Sequence, residues 1–299
     1  MRWDRSQERV TAGVLLPSMP KLIEALGRAR AEVDREMRAR AADHPWIGPA
    51  PVSGEVSIAD YPVGFCHVIR DGVRSRLRDA PAWKALARRG VVMRDIFVIL
   101  KGRYFQNALQ VGNLYVDAAN DTVDPSKHWL EWAPVRDVNF ENPMELGRFA
   151  QIAASYYGCS VHPNTLFPEV APVLPILAIR STGRIDFLES ASLIFLKDLP
   201  LGLPRFRAWV DSGFPGTQPL PVVQREMTGR MMTCCRDGGM PFEFRQSNAA
   251  DLLASSGNFV AWNSDPSRHQ SIVDVLDRLP RATRTLKAMQ AGSTAPERA

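Results

Sequence analysis

The chain has 299 residues and lacks any run of eighteen or more apolar ones, so no membrane-spanning helix is expected. Its opening residues, MRWDRSQERV, carry acids and have no apolar stretch followed by a small-residue cleavage site, which is not the pattern of a secretory signal. A cytoplasmic location is the expectation, with peripheral membrane contact left open. Cysteine is scarce. Cys66, Cys159, Cys234 and Cys235 do not make a disulfide framework in a chain of this length, and reduced thiols fit a cytosolic protein. There is no phosphate-binding P-loop, no GxGxxG after a strand, no HExxH and no GxSxG. No HxD pair suggests a facial iron triad. The aromatic residues do not alternate with basic ones along a strand, so nucleic-acid binding is not expected. Cys159-x-x-His162 has a zinc-ligand spacing, but a structural zinc usually needs four such ligands, and an ordinary loop after a helix is the plainer reading.

What is present is ordinary in bulk. Hydrophobic residues make up 45% and charged residues 23%, as in a soluble globular protein. The charge is not balanced: 37 Lys and Arg against 32 Asp and Glu give a net charge of +5. Much of the excess lies in 28–40, 70–89 and near the C-terminus. It favours contact with an anion, whether nucleic acid, a phosphorylated donor or an anionic membrane face, although a solvated surface is the plainer reading.

Helices and strands alternate without a repeat. Residues 10–16 are apolar, and periodicity does not decide between a short strand and a first helical turn. Ser18 then suits an N-cap, and Leu22, Leu26, Ala29, Val33 and Met37 mark one stripe of an amphipathic helix ending near Asp43. Phe65, Ile69, Val73 and Leu77 predict a second helix over 62–77, and 81–89 a shorter one stopped by Gly90. The β-branched run 91–100 reads as a buried strand. Asn142-Pro143-Met144-Glu145 is a helix start, with Gly158 as the stop. Residues 173–180 and 184–188 read as a second hairpin across Thr182-Gly183. Helices are expected at 205–211, 222–235 and 268–279, a short strand near Asn258 to Trp262, and a disordered tail at 291–299. The expected fold is one mixed α/β (α+β) domain over 1–290, a central sheet with hairpins flanked by helices and a more helical C-terminal portion. If it divides, the Pro-rich 163–175 is the seam.

The candidate site is the hairpin RYFQNALQVGNLYVDAANDTVD, Arg103 to Asp124. Phe105, Asn107, Leu109 and Val111 share one face of its first strand, and Tyr104, Gln106, Ala108 and Gln110 the other. Gly112-Asn113 suits a tight turn. The second strand delivers Asp117, Asn120, Asp121 and Asp124 to one end. Carboxylates so placed can gather round a hard divalent cation; equally, Asn120, Asp121 and Asp124 can cap turns.

Two family resemblances compete for these residues. GNLYVDAAND, Gly112 to Asp121, resembles the Gly-Gly-x-Tyr-x-Asp-x-Asp segment of GT-A-fold glycosyltransferases, and GVLLPSMPKLIEAL, Gly13 to Leu26, loosely resembles the opening of such domains. This likeness implies a transferase using a nucleotide-activated donor with Mn or Mg. Asp117 and Asp121 would hold the metal, Arg103 the phosphate, and Tyr115 and Asn120 would contact the donor. Ala119 stands where that family has its second acid. GFCHVI, Gly64 to Ile69, looks like the helix start of transglutaminase-like and papain-like thiol enzymes, whose following hairpin supplies a His and an Asp. That likeness implies acyl transfer by Cys66 with Asp117 as the acid, but Tyr104 or Phe105 occupies the histidine position. A cysteine at a helix N-terminus is a better nucleophile, whereas a free cysteine is most often a small core residue. His67 follows Cys66 and would point elsewhere; His128 and His162 are the remaining candidates for a base. A third reading is a noncatalytic interaction protein that keeps an enzyme-like fold and binds an acidic partner. Acceptor, pathway and oligomeric state have no signature in the sequence.

Overall fold

The structure, a computed structural model, describes residues 1–43, 47–48, 56–181, 185–220, 233, 235–237, 239–265 and 274–279. The protein is mixed α/β, with antiparallel sheets and substantial helix. The chain divides into two compact units, Met1–Asn142 with Tyr156–Gly158, and Pro143–Ser155 with Cys159–Ala299. The Pro-rich stretch 163–175 lies inside the second unit. The tail 291–299 lies outside the described residues.

The first unit begins with a helical path. It opens as a 3-10 turn at Arg5–Gln7, becomes Glu8–Val10 (α1), widens into a π turn at Thr11–Leu15, tightens at Leu16–Ser18 and continues as Met19–Asp43 (α2). Residues 10–16 are therefore helical. Ser18 sits within this path and donates to the Val14 carbonyl at 2.8 Å, where sequence predicts an N-cap. The stripe Leu22, Leu26, Ala29, Val33 and Met37 is buried. Two-residue strands Ile47–Gly48 (β1) and Val56–Ser57 (β2) pair antiparallel. Cys66–Asp79 (α3) starts just after Gly64, whose φ of +80° is foreign to a right-handed helix. Ile69, Val73 and Leu77 on α3 are fully buried, each contributing about 1.5–3 kcal/mol by leaving water. Pro81–Arg88 (α4) follows, with Trp83 and Leu86 inward.

Next come Met93–Leu100 (β3), Tyr104–Val111 (β4), Leu114–Asp117 (β5), Glu131–Pro134 (β6) and Phe140–Glu141 (β7), in the order β6-β5-β4-β3-β7, all antiparallel. The pleat sorts their side chains. Leu109, Val111, Leu114 and Val116 join the core formed with α2 and α3. Ile96, Val98, Leu100, Ala108 and Tyr115 form a smaller cluster, against which Met1, Tyr104, Val138 and Phe140 pack.

The second unit takes most of Leu146–Tyr157 (α5). This helix starts later than Asn142-Pro143 suggests, because Glu145 acts as its cap. The Glu145 carboxylate accepts from the Arg148 N–H at 3.0 Å, and its carbonyl from Phe149 at 2.9 Å. Ser160–Pro163 (β8), Ile176–Ile179 (β9) and Ile185–Phe187 (β10) form an antiparallel sheet in the order β10-β9-β8. The expected hairpin is β9–β10; its Thr182-Gly183 turn lies outside the described residues. Ser192–Asp198 (α6) leads through a 3-10 turn, Leu199–Leu201, to Pro204–Asp211 (α7). The strand expected at 258–262 is instead part of a helix, Ala249–Ser264 (α8), because Asn248 and Asp251 form a reciprocal capping box that commits the chain to helix. Most of the helix expected at 222–235 lies outside the described residues; of 268–279, residues 274–279 are described and are helical.

Asp198 fixes the α6–α7 corner. It is fully buried and accepts from the Arg205 N–H at 2.9 Å, the Phe206 N–H at 3.2 Å and Arg205 Nη1 at 3.0 Å. These are the orphan donors of the first turn of α7. Asp198→Ala should cost about 1–3 kcal/mol, since it removes a cap and leaves buried donors unpaired, and a urea melt would register the loss. An unchanged midpoint would contradict the capping role.

Candidate functional site

The sheet alternation decides which hairpin groups can meet. Gln106 and Asn107 are neighbours on β4 and point to opposite faces. Tyr115 pairs with Gln110, so Tyr115 and Asp117 share the face of Gln110 and Gln106. There Asp117 is 1% exposed, and its carboxylate accepts three hydrogen bonds: Gln106 Nε2 at 2.7 Å, Tyr115 Oη at 2.9 Å and the Ala119 N–H at 2.8 Å. Gln106 Nε2 also reaches the Ala119 carbonyl at 3.1 Å, while its Oε1 is buried without a partner. Burial pushes the Asp117 carboxyl up to about 7, against the three donors that favour its ionised form, and Glu131, its cross-strand neighbour, adds to the rise. Burial and the adjacent carboxylate also push the Tyr115 phenol up, so it stays a donor to Asp117.

Asp121 belongs to a different network. Arg30 of α2 grips it in a two-pronged contact, Nη1 to Oδ1 at 2.9 Å and Nη2 to Oδ2 at 2.8 Å. The same guanidinium donates to the Ala118 carbonyl at 2.7 Å and to Asp34 at 2.6 Å, and Asp34 in turn accepts from the Tyr61 hydroxyl. Burial alone would lower the Arg30 pKa, but the bonds to Asp121 and Asp34 outweigh it and hold the guanidinium charged. Asn120 donates to the His128 carbonyl at 2.9 Å, and Asp124 caps Ser126. Arg103 is exposed in the β3–β4 turn. The structure therefore does not gather Asp117, Asp121 and Arg103 about one point. Among the described residues, no group of three or more His, Cys, Asp or Glu is arranged to hold a metal ion.

Cys66 opens α3 on the other face of the sheet. It is 8% exposed, and Asn107 Nδ2 donates to its sulfur at 3.4 Å. Burial pushes the thiol up; the Asn107 bond only partly offsets this, and the charge of Asp117 raises it further. Aromatic rings close the surroundings of Asn107: Phe105 stacks on Phe97 at 5.4 Å and meets Tyr156 edge-on at 5.6 Å. Gln106 thus binds Asp117 on one face while Asn107 binds Cys66 on the other. None of the three candidate histidines is hydrogen-bonded to Cys66. His67 is exposed, and His128 Nδ1 lies 3.0 Å from the Leu130 carbonyl. His162 is in the second unit, with Nε2 2.8 Å from Ser160 Oγ and Nδ1 near the carbonyls of Gln218 and Pro219.

Five residues of these networks were not nominated from the sequence: Arg30, Asp34, Tyr61, Gln106 and Asn107. Arg30 left a trace, because it follows Leu22 and Leu26 at i+4 spacing and so lies on an apolar stripe, where a charge requires a partner. No family model, curated protein or solved structure matches the chain.

Proposed function

We propose that this is a noncatalytic interaction protein that keeps an enzyme-like arrangement in its first unit and captures an anionic partner through its positive surface. The observation behind this reading is that each nominated reactive group already has an internal role. Asp117 is bound by three donors, Asp121 is paired with Arg30, and Cys66 is held by Asn107 across the sheet from Asp117. A donor-metal site would first have to release both carboxylates from these partners. A thiol–acid pair would have to act through the thickness of a sheet. The net charge of +5 supplies the attraction, which salt should screen within about 8–10 Å.

Two measurements test the reading. The protein should be retained on immobilised heparin and eluted by salt. Its melting temperature should not respond to a nucleotide sugar plus manganese. A stabilisation by that pair, abolished in Asp117→Ala, would instead establish a glycosyltransferase-type donor site with Asp117 as ligand.

A further inference from the structure

The second unit holds a cavity of about 300 Å³ beside α8. Ser255, Asn258, Phe259 and Trp262 line it at helical spacing, so one face of α8 forms a wall. Trp262 is partly buried and meets the Phe259 ring edge-on at 5.1 Å. Phe242 and Val275, both buried, add apolar lining. Three charged residues, Glu169, Arg245 and Arg278, complete it. Ligand pockets run from about 300 to 1,000 Å³, so this one suits a single small molecule.

The polar groups that converge here are not satisfied by one another. Among the described residues, the Glu169 carboxylate and the Arg245 guanidinium make no ion pair or hydrogen bond, and the Ser255 hydroxyl, the Asn258 amide and the Trp262 indole N–H make no hydrogen bond. Arg278 is held in place: Nε donates to the Asp274 carbonyl at 3.1 Å, Nη1 donates to the Pro241 carbonyl at 3.2 Å, and the guanidinium lies 4.9 Å from the centre of the Phe242 ring. Its Nη2 is left to donate. The other charged residues of these segments, Glu243, Asp274 and Asp277, are exposed and do not line the cavity. Unpaired charges are ordinary on open surface. Here both signs share one small hollow with aromatic rings and neutral polar groups, which is the make-up of a ligand site. A simple anion would meet the Glu169 carboxylate, and a simple cation would meet two arginines. A small molecule carrying both charges satisfies all three, and a ring on it suits the Trp262 wall. We propose that this cavity binds a free aromatic amino acid, with its carboxylate toward Arg245 and Arg278, its ammonium toward Glu169 and its ring against Trp262. The site is independent of anion capture by the protein surface.

The test is titration calorimetry of the full chain with L-phenylalanine and with L-tryptophan. At least one should bind and raise the melting temperature. Its analogue without the ammonium (3-phenylpropionate or indole-3-propionate) and its analogue without the carboxylate (2-phenylethylamine or tryptamine) should each bind about tenfold more weakly. Glu169→Gln and Arg245→Gln should each weaken the amino acid about tenfold, since each removes a charge-assisted hydrogen bond. Both residues are exposed, so the unliganded melting temperature should not move, and the loss is then one of binding. Asn258→Trp, which fills the cavity from another exposed position, should abolish binding. Absence of binding by both amino acids at millimolar concentration would overturn the inference. Equal binding of either analogue would also overturn it, because the ligand would not need both charges. So would undiminished binding by the Glu169 and Arg245 variants, which would place the ligand elsewhere.

Discussion

Arg30→Ala should destabilise the first unit by about 2–4 kcal/mol, because it strands two partly buried carboxylates and removes the cation that pairs with both among the described residues. The Arg30 side chain is 6% exposed, that of Asp121 14% and that of Asp34 24%, so water reaches the two carboxylates only in part. Three acceptors lose their donor at once: Asp121, Asp34 and the Ala118 carbonyl. Among the described residues, Asp34 would keep the Tyr61 hydroxyl. The contrast that isolates the charge is Arg30→Met combined with Asp34→Asn and Asp121→Asn. Neutralising the whole cluster should recover part of the loss, since no unpaired carboxylate charge is then left behind. Chemical denaturation of the single and triple variants measures both. A single variant within about 1 kcal/mol of the parent would remove Arg30 from the fold's supports.

The second large effect is a pH dependence carried by Asp117. Its folded pKa is raised from 3.8 to about 7, so between those values the folded protein holds a proton that the unfolded chain has lost. Stability from this group is complete below pH 3.8, falls as the pH rises, and is lost above about 7. A shift of this size corresponds to a total of about 4 kcal/mol. Other carboxylates titrate in the same window, so the comparison that matters is with Asp117→Asn, which cannot ionise. The difference in stability between parent and variant should change steeply between pH 4 and 7, with the parent losing ground as pH rises. A difference that stays flat across this range would mean that the three donors already hold Asp117 ionised.

These two residues also show what the sequence could reveal. Periodicity recovered α2, α3 and the β4–β5 hairpin because their buried faces repeat at 3.6 or at 2 residues. It even assigned Gln106 and Asn107 to opposite faces. It could not find the partners of those faces. Arg30 and Asp121 are 91 residues apart, and nothing local to Asp121 distinguishes a turn cap from half of a buried ion pair. The same limit applies to Cys66 and Asn107, which meet only because α3 packs on β4. At 258–262 the error was local: an aromatic, β-branched stretch reads as strand until the capping box ten residues earlier is recognised.

The central claim is that the hairpin is a scaffold in which Cys66 is a packed thiol held apart from Asp117. It is tested most directly by alkylation of Cys66 in a variant with the other three cysteines changed to serine, with the rate followed as a function of pH. Slow labelling at neutral pH, rising only at or above the ordinary thiol pKa of about 8.5, is the predicted result. Fast labelling with a plateau near neutral pH would contradict it, and would mean that a base and an open path to the sulfur exist.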